Sequence, residues 1–238
     1  MTLRWLICSS ILAAGLAQAA SVAGRIELRD SKDPAVRKKQ DYSGVVVWLE
    51  RVDKANAPKP APIRAKILQK DKSFIPHVLT VPIGSIVDFP NLDPVFHNAF
   101  SNYDGQVFDV GLYPPGSSRS VRFARPGIVR IFCNIHSSMT AIVAVVDSLY
   151  YETTKSDGRF ELRDVPPGEY QLKVFHERAT VASMNAAQRP VMVTGQSATL
   201  PPITVSESGY LSIPHKDKFG HDYKPVPEDT GIYPVTRK

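Results

Sequence analysis

Gly127-Ile128-Val129-Arg130-Ile131-Phe132-Cys133-Asn134-Ile135-His136-Ser137-Ser138-Met139 passes from an alternating apolar run into a short polar loop. Successive side chains of a β-strand point to opposite faces. Val129, Ile131 and Cys133 therefore share one face, and Arg130 takes the other. This predicts a strand over 127–133 that ends with a thiol aimed inward. Similar short apolar runs recur at Ala23–Leu28, Gly44–Arg51, Ala65–Gln69, His77–Val81, Ser85–Phe89, Ser118–Phe123 and Thr140–Val146. Further on they recur at Tyr170–Phe175, Pro190–Val193 and Ala198–Val205. Pro-Gly, Asp-Gly and Asn-rich turns separate them, and long helix-period patterns are absent. With 20 prolines in 238 residues, the pattern predicts an all-β protein.

The N-terminus reads as a secretory signal peptide over 1–19. Arg4 supplies the positive charge, Trp5 to Leu16 the short apolar stretch, and Ala17-Gln18-Ala19 the small-residue cleavage site. The apolar run is too short to span a bilayer, and no later segment is long and apolar enough to do so. The mature protein is expected to be periplasmic or secreted, without an integral membrane segment. Removing Arg4 lowers the formal net charge from +6 to +5. The basic balance is mild. Arg119, Arg122, Arg125 and Arg130 alternate with Val121, Phe123 and Val129, which places them on the solvent face of strands. They suit docking to an acidic protein partner. Nucleic-acid binding is not expected, because no aromatic-basic platform appears.

Cleavage leaves Cys133 as the one cysteine. In an oxidising compartment it cannot form an internal disulfide. It is buried and inert, paired between chains, or bound to metal. His136 at +3, Met139 at +6 and an upstream His97, in Phe96-His97-Asn98, favour metal. A soft thiolate, two imidazoles and a weak thioether are the ligand set that suits copper. Zinc is the rival ion, but zinc sites draw on thiolate, imidazole and carboxylate rather than thioether. A cysteine-nucleophile reading lacks an orienting carboxylate and an oxyanion donor. His97 lies 36 residues before Cys133 and follows the turn Asn91-Leu92-Asp93-Pro94, so folding must bring it to the loop. The other histidines carry less weight. His77 reads as structural, His176 as a polar strand-edge residue, and His215 and His221 as part of a solvated tail.

Residues 63–147 resemble a cupredoxin, and Cys-x-x-His-x-x-Met matches amicyanin spacing. The framing also matches: Phe74-Ile75-Pro76, Val81-Pro82-Ile83-Gly84, Val87-Asp88-Phe89-Pro90-Asn91, and Pro126-Gly127 before the cysteine strand. The resemblance implies a Greek-key β-sandwich. It makes His97, Cys133 and His136 the equatorial copper ligands and Met139 the axial one, while Asn98 ties the two ligand loops together. It also implies a one-electron carrier rather than an enzyme, with the His136 edge as electron port. A dehydrogenase or cytochrome is the implied redox partner.

Residues 148–206 resemble a carboxypeptidase regulatory-like (transthyretin-like) β-sandwich. The resemblance rests on Thr154-Lys155-Ser156-Asp157-Gly158-Arg159-Phe160-Glu161-Leu162 and Val165-Pro166-Pro167-Gly168-Glu169-Tyr170. That family often begins with a strand pair like Ala23–Leu28 and Gly44–Leu49. Residues 20–62, ending in the Ala-, Lys- and Pro-rich linker Asp53–Pro62, are therefore expected to join 148–206, with three consecutive units as the alternative. The charge-rich stretch Arg29–Asp41 is expected to be a loop, and 207–238 a Pro-rich polar tail. The combination is similar to methylamine utilization-type periplasmic proteins. Two other functions stay open at this point. One is copper storage, delivery or sensing; the other is a structural or glycan-binding protein with a vestigial site.

Overall fold

The computed structural model describes residues 20–102, 105–211 and 214–223. The expected export segment, 1–19, and the tail beyond 223 lie outside the described residues. The chain is all-β, with two short α-helices and one 3₁₀ turn, Lys54–Asn56, among the described residues.

The strand Ala20–Arg29 pairs antiparallel with Arg159–Val165 and parallel with Ala198–Thr199 and Ile203–Ser206. Val46–Arg51 lies between Tyr151–Thr153 and Gly168–Phe175, and Arg189–Val193 flanks the latter. The inner faces of these two sheets meet in one core. Val22, Ile26 and Leu162 lie on one side, and Val47, Leu49 and Leu172 on the other. Between residues 64 and 146 the strands pair among themselves. Arg64–Lys66, Ile86–Pro90 and Ser118–Arg122 form one sheet. Val78–Pro82, Thr140–Val146, Gly127–Phe132, Phe100–Ser101 and Phe108–Asp109 form the other. Val87, Phe89 and Val121 pack against Val129, Ile131 and Val143 across a second core. Each pair of sheets is a β-sandwich.

Two strands depart from alternation for a physical reason. In Thr140–Val146, Ala141, Val143 and Val145 face the second core. Ile142 and Ala144 face outward onto Val46 and Phe175. Val46 in turn alternates with Val45 and Val47, which enter the first core. Strands buried on both faces read as continuous apolar runs, and here those runs join the two sandwiches.

A polar link crosses the same boundary. His77 donates through Nδ1 to the Thr140 carbonyl (3.0 Å) and through Nε2 to the Glu177 carboxylate (2.7 Å). Both partners only accept, so the ring is fully satisfied as imidazolium. The Glu177 bond outweighs burial and raises its pKa above the ordinary value. A raised folded-state pKa contributes stability that is complete below the unfolded value, about 6.5. That stability is lost as pH rises through the folded value. His77→Gln is expected to remove this loss. Because the side chain is nearly half exposed, the effect is at most about 1 kcal/mol. Urea midpoints of both proteins on either side of the transition check it; a variant that keeps the wild-type pH dependence contradicts it.

Several expectations need correction. The stretch Arg29–Asp41 contains the helix Pro34–Lys39, with Asp33 accepting from the Ala35 amide (2.8 Å) and Pro34 in the first turn. A second helix, Val181–Ala187, is capped by Thr180. Six- and seven-residue helices show too few turns for a periodic signal. Ala65–Gln69 is two short strands, Arg64–Lys66 and Leu68–Lys70, with different partners. Ala198–Val205 breaks at Pro201-Pro202, which lack ladder donors. His176 is not an edge residue; it is buried with Glu207. At the expected Asp157-Gly158 turn, Gly158 has φ +72°, and a Cβ there would overlap the Ile26 carbonyl oxygen. Only glycine fits.

Candidate metal centre

Three of the expected site residues converge at one end of the second sandwich. His97 follows a loop organised by the buried Asn91, whose amide donates to the Val95 carbonyl (2.8 Å) and whose oxygen accepts from the Asp93 amide (3.0 Å). The backbone of His97 pairs with that of Tyr113, and the Tyr113 hydroxyl donates to the Phe89 carbonyl (2.8 Å). The ring is thereby held fully buried. Cys133 directly follows the strand Gly127–Phe132, one residue short of the expected end at 133, and keeps its thiol inside the core with Val129 and Ile131. The loop then closes on itself: the Met139 amide bonds the His136 carbonyl (3.1 Å) and the Cys133 amide bonds the Met139 carbonyl (3.2 Å).

The donor atoms lie close together. His97 Nδ1 is 3.1 Å from His136 Nδ1, and Cys133 Sγ is 3.9 Å and 3.7 Å from those two nitrogens. Two nitrogens about 2.05 Å and a sulfur about 2.3 Å from one ion, as imidazole and thiolate bind zinc, stand roughly 3.6 Å and 3.8 Å apart in a trigonal plane. The two sulfur–nitrogen distances match these values and the nitrogen–nitrogen distance is shorter by about 0.5 Å, so the three donors lie within reach of a single ion. Among the described residues they form one group of metal-ligating side chains. Met139 is fully buried in the apolar cluster that contains Cys133. Burial pushes the Cys133 thiol up, against amides of Ile135, Asn98 and His136 that point at the sulfur. A metal that takes this thiolate must therefore displace its proton.

Asn98 ties the loop that carries His97 to the one that carries Cys133 and His136. Its side-chain oxygen accepts from the Asn134 amide (2.7 Å), and its nitrogen donates to Asp109 (2.8 Å).

Two contacts have no counterpart in the sequence reading. Asp93 Oδ2 accepts from His97 Nε2 at 2.7 Å, and both side chains are buried. Burial opposes ionisation of Asp93, but bonds from the Lys72 amide, His97 and the Asp71 amide outweigh it. They hold the carboxyl below the usual range. The signal available was an aspartate four residues before His97. The second contact is the tail. Residues 214–223 run past the loop Cys133–Met139, and His215, Lys218 and Tyr223 bond to it or to its neighbours while Lys216, Phe219 and Asp222 stay exposed. His215 Nε2 donates to the Ser137 carbonyl (2.7 Å), and its ring packs on Phe132. The Lys218 amide donates to Asn134 Oδ1 (2.9 Å), and its ammonium pairs with Asp109 (2.7 Å). The Tyr223 hydroxyl donates to the Cys133 carbonyl (2.7 Å). His221, by contrast, stays exposed beside Asp217. Deleting residues 211–238 removes these bonds, each worth about 1 kcal/mol. Hydrogen exchange at the amides of Asn134–Ser137 is then expected to rise about tenfold or more; unchanged protection shows that residues 214–223 do not hold the loop.

No family model matches the chain, and no curated protein does. Several solved structures are similar to part of it. A copper-containing nitrite reductase from Thermus scotoductus is 27% identical over 42% of this chain, with a TM-score of 0.34. The match spans 26% of that protein's length. A purple cupredoxin from Nitrosopumilus maritimus is 24% identical over 34% of this chain and 99% of its own, with a TM-score of 0.32. Amicyanin from Paracoccus versutus is 17% identical over 41% of this chain and 97% of its own, with a TM-score of 0.32.

Proposed function

We propose that the protein is an exported type 1 (blue) copper protein that carries one electron at a time. The observation that carries this reading is the convergence of two imidazole nitrogens and a thiol sulfur within 3.1–3.9 Å of one another. Soft sulfur with two imidazoles suits copper, and the copper ion supplies the one-electron chemistry when bound. His97, Cys133 and His136 hold it, and the buried Met139 thioether is the weak fourth donor. Asn98 fixes the distance between the two loops. His97 and Cys133 are buried while His136 is partly exposed, so its ring edge is the route by which the electron leaves. Four protein donors leave no open position for a substrate, which favours a carrier over an enzyme.

The partner on this reading is a redox protein, a dehydrogenase or cytochrome, with an acidic docking face. Arg119, Arg122, Arg125 and Arg130 are all exposed and offer the complementary charge. No described helix is long and apolar enough to cross a membrane. The strand pairing supports a division in which 20–62 and 148–206 form one unit and 63–147 the copper unit set between its strands.

The test is to add Cu(II) to the mature protein and record the visible and EPR spectra. An intense thiolate-to-copper band that saturates with one ion per chain, and bleaches reversibly on one-electron reduction, supports the proposal. A colourless protein holding Cu(II) weakly overturns it. A coloured site without a reversible couple would instead favour storage or delivery.

A further inference from the structure

The contact between Asp93 and His97 does more than fill space. A carboxylate oxygen can only accept, so the 2.7 Å contact requires the proton on Nε2 of the ring. Nδ1 is then the atom left to offer a lone pair, and Nδ1 is the one that faces Cys133 and His136. The carboxylate is itself held from behind. Asp71 and Lys72 both take left-handed backbone angles (φ 54° and 52°) in the turn between Leu68–Lys70 and Ser73–Ile75. This aims both amides at Asp93, at 2.6 Å and 2.9 Å. Two amide donors on one side and a ring N–H on the other leave the carboxylate ionised in a buried place.

We propose that Asp93 is a positioning residue that fixes His97 as an Nδ1 ligand and biases the centre toward its oxidised ion. The proposal rests on the copper reading above. A buried negative charge one hydrogen bond from a ligand makes the imidazole a stronger donor. It stabilises the doubly charged ion more than the singly charged one, because charge interactions are weakly screened where water is excluded. One electron is exchanged with the redox partner, and no bond is formed or broken at Asp93. The centre is thereby poised as an electron donor.

The experiment uses the mature full chain, labelled with ¹⁵N, in two forms. In the metal-free wild type, at a pH where the ring is neutral, the ¹⁵N resonances of His97 are expected to show a protonated Nε2 and a bare Nδ1. In the copper-loaded protein, Asp93→Asn keeps an acceptor but removes the charge. It is expected to weaken Cu(II) binding relative to Cu(I) by about 10- to 100-fold, which raises the midpoint potential by about 59 mV per tenfold. A wild-type ring with bare Nε2 overturns the proposal. So does an Asp93→Asn protein that retains the thiolate band at an unchanged potential. Should the variant fail to fold, the wild-type ring still decides the matter. Should the wild type form no thiolate–copper band, the copper reading fails, while the metal-free ring separately tests whether Asp93 sets the tautomer.

Discussion

Replacing Cys133 with serine is expected to abolish the intense visible band of the copper-loaded protein and to lower its Cu(II) affinity by more than about 100-fold. That exceeds the usual effect of losing an outer hydrogen-bond partner of a ligand. The thiolate is the metal-binding form of cysteine, and a serine hydroxyl does not ionise near neutral pH. The fold itself should survive. Serine is slightly smaller than cysteine, and the amides of Ile135, Asn98 and His136 that point at the sulfur can bond its oxygen instead. A stability loss of about 1 kcal/mol is the ordinary range for such a change. The measurement is a Cu(II) titration of both proteins followed by absorbance, with thermal unfolding of each metal-free form as the folding control. A variant that keeps the band excludes Cys133 as the ligand.

Glu207→Ala is expected to be the most damaging single change away from the metal centre. Glu207 is buried, and its side-chain bonds reach residues that follow two other strands, Ser31 after Ala20–Arg29 and His176 and Arg178 after Gly168–Phe175. Oε1 accepts from His176 Nε2 (2.9 Å) and Arg178 Nη2 (3.1 Å). Oε2 accepts from Ser31 Oγ (2.6 Å) and Arg178 Nε (3.1 Å). His176 Nδ1 already lacks a hydrogen-bond partner, so the buried ring would lose its remaining side-chain bond. Removing one member of a buried, hydrogen-bonded ion pair costs about 3–5 kcal/mol, which corresponds to roughly 10 °C in a protein of this size. Burial works against the Glu207 charge, but Arg178, Ser31 and His176 outweigh it and hold the pKa below the ordinary value. A lowered folded-state pKa contributes stability that is present above the unfolded value, about 4.3. It is lost as pH falls through the folded value. The wild type should therefore lose stability in acid that the variant has already lost. Chemical denaturation at neutral and acid pH checks both statements. A loss of less than about 1 kcal/mol at neutral pH would show that the network holds little.

The elements that the sequence exposes are those whose signal is local. Thr140–Val146 has the same limits in the structure as in the sequence pattern, because its apolar run is bounded by the polar loop before it and Asp147 after it. The inward aim of Cys133 follows from alternation with Val129 and Ile131. The proximity of His97 to that loop was an expectation of spacing and resemblance, and the structure places the three donors together. What stayed hidden depends on partners far along the chain. His176 beside Glu177-Arg178 looks like a solvated strand end until Glu207, 31 residues later, supplies the acceptor that allows its burial. Asp93 looks like a turn residue until the loop folds its carboxylate back onto His97. The segment 214–223 has no apolar periodicity. It is held by single polar groups on Ser137, Asn134, Asp109 and Cys133, which no pattern within the segment announces. The helix Pro34–Lys39 was masked by its own charges, since Arg37, Lys38 and Lys39 crowd its last turn and Val36 alone is buried.

The central claim is that one copper ion draws sulfur from Cys133 and nitrogen from His97 and His136. X-ray absorption at the copper edge of the loaded wild type tests it most directly. The account predicts an inner shell of one sulfur and two imidazole nitrogens, with the sulfur gone in Cys133→Ser and one imidazole gone in His97→Ala. A wild-type shell of nitrogen and oxygen alone would contradict it.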